Sequence, residues 1–133
     1  MKIFISGPMR GIENYNRPLF DECETYLKEQ GFDVFNPAWL QVGEEWTRED
    51  IMLIDLAALS RCDAVCFLPD WAKASGCQIE ARFAALNGKD VFYYKPANEA
   101  RPFEKRLIFK GSAGKIEKFE NERIEELRGQ NGD

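Results

Sequence analysis

The chain has 133 residues, 44% of them hydrophobic and 31% charged, a composition typical of one folded domain that excludes a disordered chain. Its formal net charge is -5, and a chain without a basic face is poorly suited to bind polymeric DNA or RNA. It contains no histidine, which excludes histidine-ligated zinc and every mechanism that uses a histidine base. Any acid-base chemistry must therefore use carboxylates, Tyr, Lys or Cys.

Apolar runs and cysteines indicate where the protein resides. No run approaches the roughly 20 apolar residues that a bilayer span needs, so we expect no membrane association and a cytoplasmic protein. The four cysteines contain no CxxC pair, which argues against a zinc ribbon. We therefore expect small buried thiols in a reducing compartment.

The first half of the chain alternates strand and helix patterns. Residues 2–6 are β-rich and end at a Gly-Pro pair, and residues 17–30 follow with helical apolar spacing that stops at Gly31. Residues 32–36 are again β-like. After a loop, Thr47 and Asp50 resemble a capping box that begins a helix ending at Ser60.

The second half repeats this alternation. Residues 63–68 predict a nearly all-apolar strand, residues 75–87 a helix, and residues 90–94 a fourth strand. Strands that alternate with helices predict a parallel sheet covered on both faces. Residues 103–110 are compatible with a short fifth strand, and residues 115–128 predict a charged helix. We expect a single domain over residues 1–133, with a core at 1–98 and a charged, helical extension at 99–133.

In an open parallel sheet, ligands bind at the carboxyl ends of the strands. The loop after the first strand, residues 6–11, carries two glycines that allow backbone N–H groups to approach an anion, and Arg10 adds a positive charge. The alternative is an ordinary Gly-Pro turn. Residues 111–115 imitate part of a Walker loop, but Phe109 replaces its first glycine and Ile116 its Ser/Thr.

Two carboxylates are predicted to face inward. Asp55 has apolar residues one turn before and one turn after it, and Glu80 repeats this arrangement on the next helix. A solvated carboxylate does not need such neighbours. The alternative is a structural network or an ion pair with an arginine such as Arg61 or Arg82.

Two carboxylates without histidine can cleave a glycosidic bond: one attacks or stabilises the anomeric carbon and the other, with a raised pKa, protonates the leaving group. Four aromatic residues near the expected mouth of the site have rings that can stack on a base or sugar, and the alternative for each is a place in the core. They are Tyr15, Trp39, Trp46 and Trp71.

Residues 5–11, 55–63 and 75–80 together resemble the nucleoside 2-deoxyribosyltransferase-like superfamily, most closely its DUF4406 type and more distantly the 2'-deoxynucleoside 5'-phosphate N-hydrolases. The resemblance covers residues 1–95. It implies a flavodoxin-like (Rossmann-like) three-layer sandwich with a parallel sheet of four or five strands, usually in the order 2-1-3-4-5. It also implies homo-oligomers in which a neighbouring subunit helps to close the site. We expect neither a cofactor nor a metal.

The resemblance also implies roles for particular residues. Glu80 falls on the nucleophile and Asp55 on the aspartate that handles the proton of the departing base. The expected substrate-binding residues are Ser6, Gly7, Met9, Arg10, Gly11, Ser75 and Gly76. The monophosphate-specific branch has a phosphate-binding serine six residues before the nucleophile, where this chain has Ala74 with Ser75 next to it. The transferase branch often has an aspartate there, so Ala74 argues against a free-nucleoside transferase.

We therefore predict an N-glycosidase that acts on a (2'-deoxy)nucleoside 5'-monophosphate, with a small nucleotide or nucleoside as its ligand. A nucleoside 2-deoxyribosyltransferase and a non-catalytic nucleotide sensor on the same fold are the alternatives. A receiver domain would need an acid pair after the first strand, where this chain has Ser6-Gly7-Pro8. A flavodoxin would need a hydroxyl-rich phosphate loop there, and this loop offers only Ser6.

Overall fold

The structure is a computed structural model that describes residues 1–112. The first seven predicted elements are confirmed in type and order, with ends within one residue of those expected. The helix predicted over residues 115–128 lies outside the described residues. The elements in chain order are β1 (Lys2–Ser6), α1 (Arg17–Glu29), β2 (Asp33–Phe35), α2 (Arg48–Ser60), β3 (Ala64–Phe67), α3 (Ser75–Leu86), β4 (Asp90–Tyr94) and β5 (Leu107–Ser112).

The strands form one sheet in the order β2-β1-β3-β4-β5, as the resemblance implies. The first four strands are parallel, but β5 pairs antiparallel with β4, so the sheet is only mostly parallel. The chain from β4 to β5 contains no helix, and a parallel pair needs a long crossover whereas an antiparallel pair does not. The fifth strand also begins at Leu107, later than predicted, because residues 95–106 form the connecting loop.

Alternation along the central strands divides the core between two faces. Ile3 and Ile5 of β1 lie in the cluster that α1 covers, whereas Phe4 lies in the cluster that α2 and α3 cover. Because successive side chains of a strand point to opposite faces, Ser6 shares the face of Phe4. All four cysteines are buried free thiols, which confirms their predicted place in the core.

The start of α2 is fixed by the predicted capping box. The Thr47 hydroxyl accepts from the backbone N–H of Asp50 at 3.1 Å, and the Asp50 carboxylate accepts from the backbone N–H of Thr47 at 2.8 Å. This reciprocal pair satisfies two of the N–H groups that a helix start leaves open. It sets the register of α2 and thereby the face on which Asp55 lies. No helix in residues 1–112 is long and apolar enough to cross a membrane.

Candidate active site

The two predicted acids lie on the helices that cover one face of the sheet. Both α2 and α3 begin at the carboxyl edge, because each follows a strand of the parallel sheet. Asp55 is the eighth residue of α2 and Glu80 the sixth of α3, so both lie one to two turns below that edge. Ser6 reaches the same face from the last position of β1.

Glu80 is buried, with 5% of its surface exposed. Its Oε1 accepts a hydrogen bond from the hydroxyl of Ser6 at 2.6 Å. Burial raises the pKa of Glu80 to about 8; the Ser6 hydrogen bond opposes this shift and repulsion from Asp55 adds to it. The acid is therefore mostly protonated at neutral pH when the site is empty.

Asp55 is partly buried, and its Oδ1 is fully buried without a hydrogen-bond partner in the part of the chain that the structure describes. Burial raises the pKa of Asp55 to about 6. A buried carboxylate oxygen without a partner is destabilising. Because the Asp55 carboxylate contributes to the raised pKa of Glu80, the two acids are electrostatically coupled.

The structure shows no ion pair between either acid and the two arginines considered as alternatives. Arg61 and Arg82 are exposed, and the ion pairs within residues 1–112 involve neither Asp55 nor Glu80. The same residues contain no cluster of acids and cysteines that could hold a metal ion. Both acids therefore lie in the apolar corner between α2, α3 and β1, and no cation from the described part of the chain neutralises them.

The loop after β1 begins directly after Ser6, the last residue of the strand. Gly7 lies against Leu68, so closely that an added Cβ would be 2.6 Å from Leu68 Cδ1. Met9 packs on the apolar cluster of the α1 face, which leaves its backbone as the group available to a ligand. Arg10 and Gly11 are exposed, and Gly11 has a φ of 74°, a conformation that favours glycine.

The first turn of α3 is the other predicted binding segment. Its N-cap, Ala74, has no side chain that could accept from the first N–H groups of the helix. Ser75 is exposed and Gly76 is partly buried, with Met52 of α2 lying 3.3 Å from the position of an added Cβ on Gly76. These N–H groups lie one turn above Glu80 and point toward the carboxyl edge of the sheet.

Of the four aromatic candidates, one belongs to the core. Trp71 is buried and stacks on Phe67 with ring centroids 4.2 Å apart. Tyr15, Trp39 and Trp46 are exposed. Tyr15 and Trp39 flank the guanidinium of Arg17 at 6.0 and 5.7 Å from their ring centroids, so these two rings form an exposed cation–π cluster beside α1.

Sequence reasoning missed two features of this edge. The first is the interaction between the Cys77 thiol, whose burial was expected, and the Ser6 hydroxyl. The pKa of Cys77 is raised to about 12, chiefly by burial and also by repulsion from Glu80, while its interaction with Ser6 lowers it. The second is a cleft of about 550 Å³ on the α1 side of the loops after β1 and β3, lined in part by Pro8, Glu22 and Asp70. Loops after β1, β3 and β4 line the cleft, as expected for the carboxyl ends of the strands, but the sequence did not indicate that it lies on the α1 face, opposite the helices that carry Asp55 and Glu80.

The architecture defines a flavodoxin-like α/β protein with a coupled pair of acids below the carboxyl edge of its sheet. The family described as "Domain of unknown function (DUF4406)" matches residues 1–93. The chain belongs to this family. No curated protein matches the sequence.

Solved structures share the fold at low sequence identity. A 2-deoxyribosyltransferase from Bacillus psychrosaccharolyticus superposes with a TM-score of 0.58 at 22% identity, over 76% of this chain and 77% of that one. A 2-desoxiribosyltransferase from Leishmania mexicana gives 0.56 at 16% identity, over 84% and 81%. The CMP N-glycosidase BcmB of Clostridium botulinum gives 0.50 at 20% identity, over 75% of each chain. The nucleoside 2-deoxyribosyltransferase-like fold expected from the sequence is therefore confirmed.

Proposed function

We propose that the protein is an N-glycosidase that cleaves the N-glycosidic bond of a 2'-deoxynucleoside 5'-monophosphate. The observation that carries this proposal is the pair Asp55 and Glu80, one partly buried and one buried carboxyl group that are electrostatically coupled and form no ion pair within residues 1–112. A purely structural acid is normally paired or hydrogen-bonded throughout, whereas Asp55 leaves a buried oxygen without a partner.

The reaction proceeds in two steps. In the first, the Glu80 carboxylate attacks C1' of the sugar and forms a C1'–O bond, while the C1'–N bond breaks and its electron pair leaves with the base. Protonated Asp55 donates the proton that the departing base takes up. In the second, water attacks C1', Glu80 departs as a carboxylate, and Asp55 accepts a proton from the water. The products are the free base and deoxyribose 5-phosphate.

A 5'-phosphate would bind between the loop after β1 and the first turn of α3. Arg10 is exposed and makes no ion pair within residues 1–112, so its guanidinium is available for a phosphate. The uncapped N–H groups of α3 at Ser75 and Gly76 are anion donors of the kind that bind phosphates. The backbone of Gly7, Met9 and Gly11 would add further donors, and these features support a nucleotide over a free nucleoside.

The solved structures that share this fold include two deoxyribosyltransferases and an N-glycosidase, which supports glycosyl transfer or hydrolysis as the reaction class. The transferase alternative uses the same two acids and differs only in the acceptor, a second base instead of water. The sensor alternative would bind a nucleotide without cleaving it.

Chromatography of released base tests the proposal. Wild type is incubated with each of the four deoxynucleoside monophosphates, the ribonucleotides and the free deoxynucleosides, with and without a second base. Glu80→Gln is the inactive comparison, and Glu44→Gln, which changes an exposed acid in a loop, is the control. Release by wild type and Glu44→Gln alone supports the proposal. Product only with a second base indicates the transferase, and tight binding without release indicates the sensor.

We further propose, from the resemblance noted in the sequence, that the protein is a homo-oligomer. Leu53 of α2 and Leu86 of α3 are 67% and 81% exposed and are the side chains on these two helices that an interface would cover. Light scattering measures the mass of the particle in solution. Leu53→Glu should lower that mass, whereas a monomeric wild type would contradict the proposal.

A further inference from the structure

The hydroxyl of Ser6 has one proton to donate, and the structure assigns that proton to Glu80. Ser6 is 1% exposed, and its Oγ lies 2.6 Å from Glu80 Oε1. Within residues 1–112 this is the single hydrogen bond of the Glu80 side chain. A hydroxyl carries only one donor, and the sulfur of the neighbouring Cys77 is a weaker acceptor than a carboxyl oxygen. Ser6 therefore holds the nucleophile and is not free to donate to a substrate.

The backbone around Ser6 is rigid. Ser6 pairs with Phe67 at the end of the β1–β3 ladder, and its carbonyl accepts from the N–H of Leu68 at 2.9 Å. At the next residue, Gly7, the side chain of Leu68 occupies the space that a Cβ would need, 2.6 Å from its ideal position. The position of Oγ is therefore set by the central strands, and the hydrogen bond fixes Oε1 of Glu80 relative to the sheet.

We propose that Ser6 is a positioning residue: it holds Oε1 of Glu80, stabilises the ionised carboxylate and leaves Oε2 as the atom that attacks C1'. This inference rests on the proposed function for its chemistry, but its structural part can be tested in the absence of substrate. It gives Ser6 a role other than the substrate contact expected from the sequence.

The electrostatics of the corner make this hydrogen bond important. The titratable groups that face Glu80 are Asp55 from α2 and Cys77 from its own helix. Asp55 repels the ionised form of Glu80, and burial disfavours it, so the Ser6 hydrogen bond is the one local interaction in the described residues that lowers the pKa of Glu80. Without it, the nucleophile would be harder to ionise.

Infrared titration of the substrate-free protein tests the inference. The C=O band of protonated Glu80 is identified by its absence in Glu80→Gln, and its loss is followed as pH rises. Ser6→Ala should move this titration upward by about one pH unit, because a hydrogen bond to a charged group is stronger than one to its neutral form. Ser6→Thr keeps the hydroxyl and should restore the wild-type titration.

Cys77→Ala is the matched control. It removes one heavy atom from the same buried corner, next to Ser6, but leaves the hydroxyl donor in place. It should produce no upward shift. An equal upward shift in Cys77→Ala and Ser6→Ala would assign the effect to packing and overturn the inference, as would an unshifted Ser6→Ala. If Ser6→Ala does not fold, Ser6→Cys replaces it, since a thiol is a much weaker donor and should give the same upward shift.

Kinetics separate this inference from the proposed function. If wild type releases base, Ser6→Ala should lower kcat by roughly 10- to 100-fold when each protein is measured at the optimum of its own pH profile, with KM little changed, because misplacement of a reacting atom affects the chemical step. If wild type releases no base but the infrared shift is observed, the proposed function fails while the hold of Ser6 on Glu80 stands. Base release with no infrared shift refutes the inference alone.

Discussion

Replacement of Glu80 by glutamine should stabilise the folded protein, and the gain should grow as pH rises. Glu80 is 5% exposed, and its pKa rises from 4.5 to about 8 on folding, chiefly because burial disfavours the carboxylate. Glutamine has nearly the same shape, carries no charge and can still accept from the Ser6 hydroxyl. In wild type, folding at neutral pH must either protonate Glu80 or bury its charge, and both cost free energy. Glutamine has no charge to remove or bury, so the variant does not have this cost.

The size of the gain follows from linkage. Between pH 4.5 and about 8, Glu80 is ionised in the unfolded chain and protonated in the folded protein, so wild type loses about 1.4 kcal/mol of stability per pH unit in this interval. Below pH 4.5 the acid is protonated in both states, so wild type has its full stability. The loss begins above pH 4.5 and is complete once pH has risen through about 8. At pH 7 the difference between Glu80→Gln and wild type should be about 3 kcal/mol.

Urea unfolding followed by circular dichroism measures this difference at pH 4.5, 6, 7 and 8.5. Comparison of two variants at each pH cancels the titration of the groups that do not interact with Glu80. Glu44→Gln alters an exposed acid and should follow wild type throughout. If Glu80→Gln also followed wild type from pH 4.5 to 8.5, Glu80 would titrate normally in the folded state and the reasoning about its burial would be refuted.

Three further substitutions have outcomes that the structure specifies. Asp55→Asn should lower base release by 100-fold or more, measured by chromatography, because an amide cannot supply the proton; unchanged release would exclude Asp55 as the acid. Gly7→Ala should destabilise the protein by about 1–3 kcal/mol in urea unfolding, because its Cβ would lie 2.6 Å from Leu68 Cδ1; no loss would mean that Leu68 moves freely. Thr47→Ala should lower the free energy of unfolding by about 1 kcal/mol, since it removes one half of the capping box; equal stability would show that water replaces the cap.

Most helices and strands could be predicted from the sequence because the patterns that define them are local. The apolar spacing of α1 and the capping box of α2 involve residues one or two turns apart, and both predictions are confirmed. The fifth strand is where local reasoning failed. Its direction depends on the loop over residues 95–106, and its start at Leu107 depends on pairing with Tyr94, a contact between distant residues that periodicity does not encode.

The site was predictable only in part for the same reason. The inward positions of Asp55 and Glu80 follow from apolar neighbours on their own helices. The partner of Glu80 does not, because Ser6 lies 74 residues away in the chain and meets it only through the strand order of the sheet. Trp71 shows the converse: an aromatic residue in a loop near the carboxyl edge is in the core, because Phe67 lies beneath it.

The two acids determine how the proposed reaction depends on pH. With pKa values of about 6 and about 8, the pair holds one proton between these pH values, and the values describe the pair as a whole. Base release should therefore follow a bell-shaped profile with limbs near pH 6 and pH 8. A flat profile from pH 5 to 9 would contradict the assignment of the proton to this pair.

Before the reaction can begin, the shared proton must move from Glu80 to Asp55. In the empty site it resides mainly on Glu80, the more basic acid, whereas the reaction needs Glu80 ionised and Asp55 protonated. A bound base that accepts a hydrogen bond from Asp55 favours the protonated form of Asp55, and so draws the proton away from Glu80. Asp55→Asn removes the charge that repels the Glu80 carboxylate, so the infrared titration of Glu80 should move to lower pH in this variant. An unmoved titration would mean that the two acids are too far apart to share a proton.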